Sequence, residues 1–347
     1  MKSAVSLGIA ATILALTFIA ASCDRATDPR TPAPREWDVL VRGIDLTDRY
    51  FVFNTGARTV VDSFVLPFSV GRPELNAAGD IIYFAGFDSI VYMDFETRTL
   101  LGSMPYNTQP YTSPAGDFLA IVDEFGVSYV VRTPEHTLYA TIDFAVKSIS
   151  FSPNGKRLYT HSVDRYIRSY LLADTLVLTD SLYDSLGFPF RLAGNSAGDE
   201  VYVYSRVFSP YYSVHVYELP SGTLLFDSLF RSGAGGLALD PTEKYLYFTN
   251  SGSVLYPSFD QAVRVYDIAN RRIVKTIKTS GFVPGYGNVN RVGPIVVTPD
   301  SRWLIGVSGN FAGNAITLIN LTTRELDTII TVGAPGFLFE NITMARR

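Results

Sequence analysis

The chain has 347 residues, 47% of them hydrophobic and only 18% charged, so it can bury a large packed core, and the composition argues against a disordered chain. The formal net charge is −4 and no lysine-rich run occurs. That argues against nucleic acid as the main partner and gives no electrostatic reason for adsorption to an anionic membrane surface.

The first element in chain order is an export signal. Lys2 supplies one positive charge, Ala4 to Ala21 is almost wholly apolar, and the small residues Ala20-Ala21-Ser22 lead to Cys23. A charged start, an apolar middle and a small-residue cleavage site are the anatomy of a signal peptide, here residues 1–22. An uncleaved membrane anchor is the alternative, since the apolar run is near the minimum for a span. Cys23 is the only cysteine, which rules out an intramolecular disulfide. Its position resembles the lipobox of bacterial lipoproteins, where the thiol is acylated and becomes the mature N-terminus. The pattern departs at Ala20, where the lipobox prefers Leu. The resemblance implies lipidation at Cys23 and an exported protein of the bacterial cell envelope, periplasmic or at the cell surface. Residues 24–36 are polar and carry Pro29, Pro32 and Pro34, a composition that reads as a tether.

From residue 37 two interleaved markers repeat. Polar turns between β-rich runs begin at Asn54 (NTGAR), Asp94 (DFETR), Arg132 (RTPEH), Leu172 (LADT), Glu218 (ELPSG), Asp267 (DIANR) and Asn320 (NLTTR), at intervals of 38 to 53 residues. Four of these seven turns end in Arg, which spacing alone does not require. Tight turns of the Ser-Pro-x-Gly kind fall between them, starting at Asn76, Ser113, Ser152, Ser196, Asp240 and Thr298. Proline presets φ in such turns and glycine accepts a positive φ. Each unit therefore gives four short strands, one blade of an all-β propeller, and residues 37–347 hold seven. The tight turn missing from the set belongs to blade one. Pro335 to Thr343 matches the inner-strand positions of the other units, so the C-terminal strand is expected to join the three strands of Trp37 to Leu66. Closing the ring this way removes an exposed sheet edge.

The units resemble the tyrosine-valine-threonine-asparagine repeat propellers. Tyr247-Phe248-Thr249-Asn250 nearly spells that motif, and Val265-Tyr266-Asp267 and the Ser-Pro-x-Gly turns match it. The resemblance implies a seven-bladed propeller and says little of function, because such rings host many activities.

Chemistry is sparse in this sequence. His136, His161 and His215 stand far apart and read as surface or structural residues. No nucleophile elbow, phosphate loop, dinucleotide fingerprint, haem motif or calcium loop occurs, so neither a cofactor nor a metal is expected. The loop face is more informative. Both turn types lie on one end of a propeller; the connections between second and third strands, and between blades, lie on the other. The long members of that second set are 205–213, 250–261, 279–293 and 309–314, on blades five to seven. They are rich in Tyr, Phe, Asn and Gly, a mix suited to stacking and adaptable hydrogen bonds. Tyr211, Tyr212, Tyr256, Phe259 and Tyr286 are the candidate ligand contacts. Arg72, Arg191 and Arg291 are expected at the channel mouth, near Lys147 and Ser148, as a partly cationic funnel. The expected function is a monomeric envelope binding or scaffold module for a protein, peptide or glycan, touching the membrane only through its lipid. The alternatives are a lactonase-like propeller enzyme acting at the channel mouth and a quinoprotein-like redox partner.

Overall fold

The computed structural model describes residues 36–44, 49–66, 73–86, 88–106, 108–122, 126–208, 211–231, 235–250, 262–279, 281–283, 287–289, 293–310, 313–332 and 338–346. All regular structure among them is β-strand. Blade one contains β1 (Trp37–Ile44), β2 (Arg49–Asn54) and β3 (Thr59–Val65). Blade two is β4 (Pro73–Leu75), β5 (Ile81–Ala85), β6 (Ile90–Asp94) and β7 (Leu100–Met104). Blade three is β8 (Gln109–Thr112), β9 (Phe118–Val122), β10 (Ser128–Arg132) and β11 (Thr137–Ile142). Blade four is β12 (Val146–Phe151), β13 (Arg157–Ser162), β14 (Tyr166–Leu172) and β15 (Leu176–Tyr183). Blade five is β16 (Phe188–Gly194), β17 (Glu200–Phe208), β18 (Tyr211–Glu218) and β19 (Leu224–Arg231). Blade six is β20 (Leu237–Leu239), β21 (Tyr245–Asn250), β22 (Ala262–Asp267) and β23 (Arg272–Lys278). A separate two-stranded hairpin follows, β24 (Gly281–Val283) with β25 (Gly287–Val289). Blade seven is β26 (Ile295–Val297), β27 (Trp303–Asn310), β28 (Gly313–Asn320) and β29 (Glu325–Val332). The last strand, β30 (Leu338–Arg346), is antiparallel to β1 from Trp37↔Arg346 to Ile44↔Leu338 and completes blade one. The chain is thus a closed ring of seven four-stranded antiparallel blades. The expected closing strand is present, beginning at Leu338; Pro335 to Phe337 lie outside the described residues.

Each blade is buried on both faces, which is why the second strands read as unbroken apolar runs, such as Phe118–Val122. Alternation then sorts the side chains to opposite neighbours. In blade one Val39, Val41, Phe51 and Phe53 pack on Trp303, Ile305, Val307, Ile316 and Leu318 of blade seven. Leu40, Tyr50 and Val52 point the other way, onto Leu75, Ile82, Phe84 and Met93 of blade two. Seven such clusters fill the seven interfaces between neighbouring blades, so burial as well as pairing closes the ring.

The recurrent turns have a common backbone cause. Each tight turn has one left-handed residue: Gly79, Gly116, Gly155, Gly198, Glu243 and Ser301, the third counted from Ser196 and the fourth in the other turns. In the other series the left-handed residue is Arg58, Arg98, His136, Gly222, Arg271 or Arg324, beside a bulge in the fourth strand. Only glycine takes this conformation without steric cost, so a recurring arginine calls for a compensating contact. It is a clamp onto the preceding blade. Arg98 pairs with Asp62 at 2.9 Å and lies 4.1 Å over the Phe64 ring, both on β3. Arg58 pairs with Asp327 of β29 at 3.2 Å, and Arg324 lies 4.2 Å over Tyr245 of β21. His136 does the same job by stacking 4.3 Å from the Tyr92 ring of β6 and sharing a 3.1 Å hydrogen bond with Tyr83 of β5.

Neighbouring tight turns are also tied to each other. The Trp37 indole donates to Asp300 at 3.2 Å, the Ser301 hydroxyl donates to Asp240, and the Ser196 amide donates to Glu243 at 3.0 Å. The Asn154 amide donates to the Ser196 hydroxyl at 3.2 Å. These bonds bridge blades four to five, five to six, six to seven and seven to one.

Two expected loops are shorter than their sequence suggests. Most of 205–213 is strand: β17 runs to Phe208 and β18 restarts at Tyr211, extending the ladder of the alternating runs Val201–Tyr204 and Val214–Tyr217. Likewise β27 runs to Asn310 and β28 restarts at Gly313 within 309–314.

Candidate functional site

Three regions of the ring carry chemistry. The first is the channel. The inner strands enclose a cavity of about 620 Å³ toward the turn face, walled by Leu75, Phe151, Leu192 and the turn prolines Pro114, Pro153, Pro241 and Pro299. It shares Glu74, Thr112 and Ser150 with a second cavity of about 430 Å³, which adds Lys147, Ser148 and Arg191. Glu74 is the one carboxylate among the described residues lining either space. Among the described residues no group of three His, Cys, Asp or Glu side chains is arranged to hold a metal ion.

The second region is a buried polar knot between blades four and five. Asp184, in the link after β15, is fully buried. It accepts hydrogen bonds from the Tyr217 hydroxyl at 2.9 Å, the Leu186 amide at 3.0 Å and the Ser205 hydroxyl at 3.4 Å. His161 Nε2 lies 3.5 Å from its second oxygen. Burial holds the His161 imidazole neutral, its pKa down to about 4, with Asp184 and Asp164 opposing in part. Burial likewise lowers His215, against the pull of Asp184 and Asp227. His215 Nε2 is 2.6 Å from the Ser213 hydroxyl, and its Nδ1 is 3.2 Å from Asp227. Ser213, His215 and Asp227 thus have the order of a hydrolase triad, yet Ser213 is 1% exposed and His215 2%, so no substrate carbonyl can reach the hydroxyl. The knot instead fixes the link that leads to Phe188. Sequence spacing could not reveal it, since His161, Asp184 and His215 come from three separate segments.

The third region is the rim above that knot. Four described aromatic side chains are exposed, Tyr166 (38%), Tyr183 (51%), Phe188 (58%) and Phe208 (57%), and all four lie here. Tyr166 and Tyr183 stand opposite each other on β14 and β15, their rings 5.4 Å apart. Arg165, left-handed in the β13–β14 turn, lies 4.6 Å over the Phe188 ring. Phe188 is paired in register with Arg206 of β17, and Phe208 with Tyr211, their rings 4.7 Å apart.

Among the sequence candidates, Tyr211 joins this rim. Tyr212 turns inward, 5.7 Å from Tyr204 and 6.0 Å from Phe190, and packs within its own blade. Arg191 lines the 430 Å³ cavity beside Lys147. Cys23, Arg72, Tyr256, Phe259, Tyr286 and Arg291 lie outside the described residues. The rim of blade four was missed by the sequence reading because Tyr166 begins β14 and Tyr183 ends β15 beside short connections, where loop length gives no signal.

No protein-family model matches the chain, and no curated protein matches it. Solved structures do. A chain of Kuenenia stuttgartiensis hydrazine synthase superposes with a TM-score of 0.61 at 15% identity, over 79% of this chain and 94% of that one. U3-55K gives 0.59 at 15%, over 79% and 84%. The dihydro-heme d1 dehydrogenase NirN, solved in complex with DHE, gives 0.56 at 13%, over 91% and 76%. At these identities the likeness concerns the fold: this chain is a β-propeller, of the ring class that serves enzymes and other proteins alike.

Proposed function

We propose that the chain is a binding or scaffold module of the tyrosine-valine-threonine-asparagine repeat type, exported to the cell envelope, lipidated at Cys23 and engaging its ligand through the loop face. The observation that carries the binding role is the rim. Every exposed aromatic among the described residues falls on one face of two adjacent blades, while both described tryptophans and the large tyrosines are buried. Exposed aromatic surface of this extent marks an interaction site on a soluble ring. We centre the site on blades four and five, where the described exposed rings lie; Tyr256, Phe259 and Tyr286 of the later blades lie outside the described residues. The test is affinity capture from envelope extracts with wild type and a Tyr183→Ala/Phe188→Ala/Phe208→Ala variant. The variant is expected to fold and to lose its captured material; retention of the full wild-type set would place the site elsewhere. For the anchor, Cys23→Ser is expected to leave the protein unprocessed or to move it out of the membrane fraction. Absence of an acyl mass on wild-type Cys23 would sink that part.

A second reading, an enzyme acting at the channel mouth, has one observation in its favour: Glu74, Lys147 and Arg191 line the same cavity. A single carboxylate sharing a cavity with two cations suits binding of a small polar ligand better than paired acid and base roles.

A further inference from the structure

The rim alternates rings with guanidinium groups. Reading along blades four and five, the order is Tyr183, Tyr166, Arg165, Phe188, Arg206 and Phe208. Arg58, Arg98 and Arg168 are each held by a carboxylate, at 3.2, 2.9 and 2.9 Å. No described carboxylate pairs with Arg165 or Arg206. Asp164, the nearest acid in sequence to Arg165, is already committed to Arg168 and to the Ser162 hydroxyl. The rim therefore presents two uncompensated positive charges among four exposed rings. Phe188 cannot swing away freely, because Asp184 anchors the link before it through the Leu186 amide, the Tyr217 hydroxyl and the Ser205 hydroxyl.

A ligand that complements this row must offer flat C–H surface and negative charge in alternation. We propose that the rim binds an anionic polysaccharide carrying a carboxylate on its sugars. The rings stack on the pyranose faces, and Arg165 and Arg206 take the carboxylates, for which the planar guanidinium fork is suited. An acidic peptide has the charge but lacks a rigid apolar face at each unit. Single-stranded nucleic acid has both, but it asks for a cationic track along its backbone, whereas this chain has a net charge of −4 and two unpaired cations in the row. The inference rests on the loop face being the binding surface, and it names the class of ligand.

The test is titration calorimetry on the folded protein with four probes: polygalacturonate, its fully methyl-esterified form, polyglutamate and an oligo-dT strand. Polygalacturonate is expected to bind, with affinity that falls as salt rises. Arg165→Gln/Arg206→Gln is expected to weaken it at least tenfold and to abolish its preference over the methyl ester. Phe188→Ala/Phe208→Ala is expected to weaken polygalacturonate and the ester alike. Equal binding of polyglutamate, tighter binding of oligo-dT or no binding of polygalacturonate would each overturn the assignment. If polygalacturonate fails while the triple-alanine variant still loses its captured envelope material, the ligand class falls and the binding face stands. If the variant keeps that material, both fall.

Discussion

The two faces of the ring are built from the same strands and differ in what ends them. On the turn face, short loops with one left-handed residue lock to their neighbours through Trp37–Asp300, Ser301–Asp240, Ser196–Glu243 and Asn154–Ser196. Arginines there are consumed in clamps between blades, as Arg98 is by Asp62 and Phe64. On the loop face the described rings of Tyr166, Tyr183, Phe188 and Phe208 stand in solvent, and Arg165 and Arg206 have no described acid partner. One face spends its polar groups on holding the ring, and the other leaves them for something else. Arginine beside an aromatic ring thus occurs in two settings: Arg98 joins a carboxylate and a ring to tie two blades, whereas Arg165 lies over Phe188 with no described carboxylate partner.

Four changes act on the two faces with effects of decreasing size. The largest concerns closure: a chain ending before Leu338 lacks β30 and leaves the β1 edge unpaired. It is expected to lose its single cooperative thermal transition, and an unchanged melting curve would show that the ring does not depend on that strand. Next is acid sensitivity of the knot beneath the loop face. His161 titrates near 4 in the folded chain and near 6.5 when unfolded, so the unfolded chain binds the extra proton between those values. Stability is therefore expected to be full above pH 6.5 and to fall on the way down to pH 4, by on the order of 3 kcal/mol for this group. Urea titrations across that range check it, and His161→Leu should flatten the slope. Third is the clamp. Arg98→Ala is expected to cost about 1–2 kcal/mol, and Arg98→Gly less than Ala, because glycine relieves the positive φ of 60°. Equal losses would mean that the backbone conformation is unstrained. The smallest effect is on the rim itself: Phe208→Ala is expected to shift stability by less than about 0.5 kcal/mol while weakening ligand binding. A large loss of stability there would make the ring structural and erase the contrast between the faces.

Much of the architecture was legible because it is written in turns. Gly79, Gly116, Gly155 and Gly198 mark inner hairpins by a conformation that glycine takes without strain. The recurring turn arginines were visible as a pattern, but their meaning was not, since Arg98 acts on Asp62 and Phe64 in another blade. The candidate site was legible in part. Long connections pointed to the end of the ring where Phe208 and Tyr211 stand, yet length also drew attention to residues 205–213, most of which continue the ladder instead. Tyr212 and Tyr211 are adjacent in sequence and opposite in fate, because pleating sends one onto Phe190 and Tyr204 and the other to the rim. The knot around Asp184 could not be read at all. It depends on partners from β13, β17 and β18 that meet only once blades four and five are side by side.

The union of β1 with β30 sets the timetable of synthesis. Blades two to seven are each made from contiguous chain and can form as they leave the ribosome, whereas blade one waits with an open flank until about 300 further residues have been translated, as the positions of its strands dictate. Through that interval the Val39 and Val41 side of the first sheet also lacks Trp303 and Ile305, which arrive almost as late. The first segment to appear is therefore the last to be satisfied. A nascent chain of this design needs its leading hairpin shielded until the final strand docks.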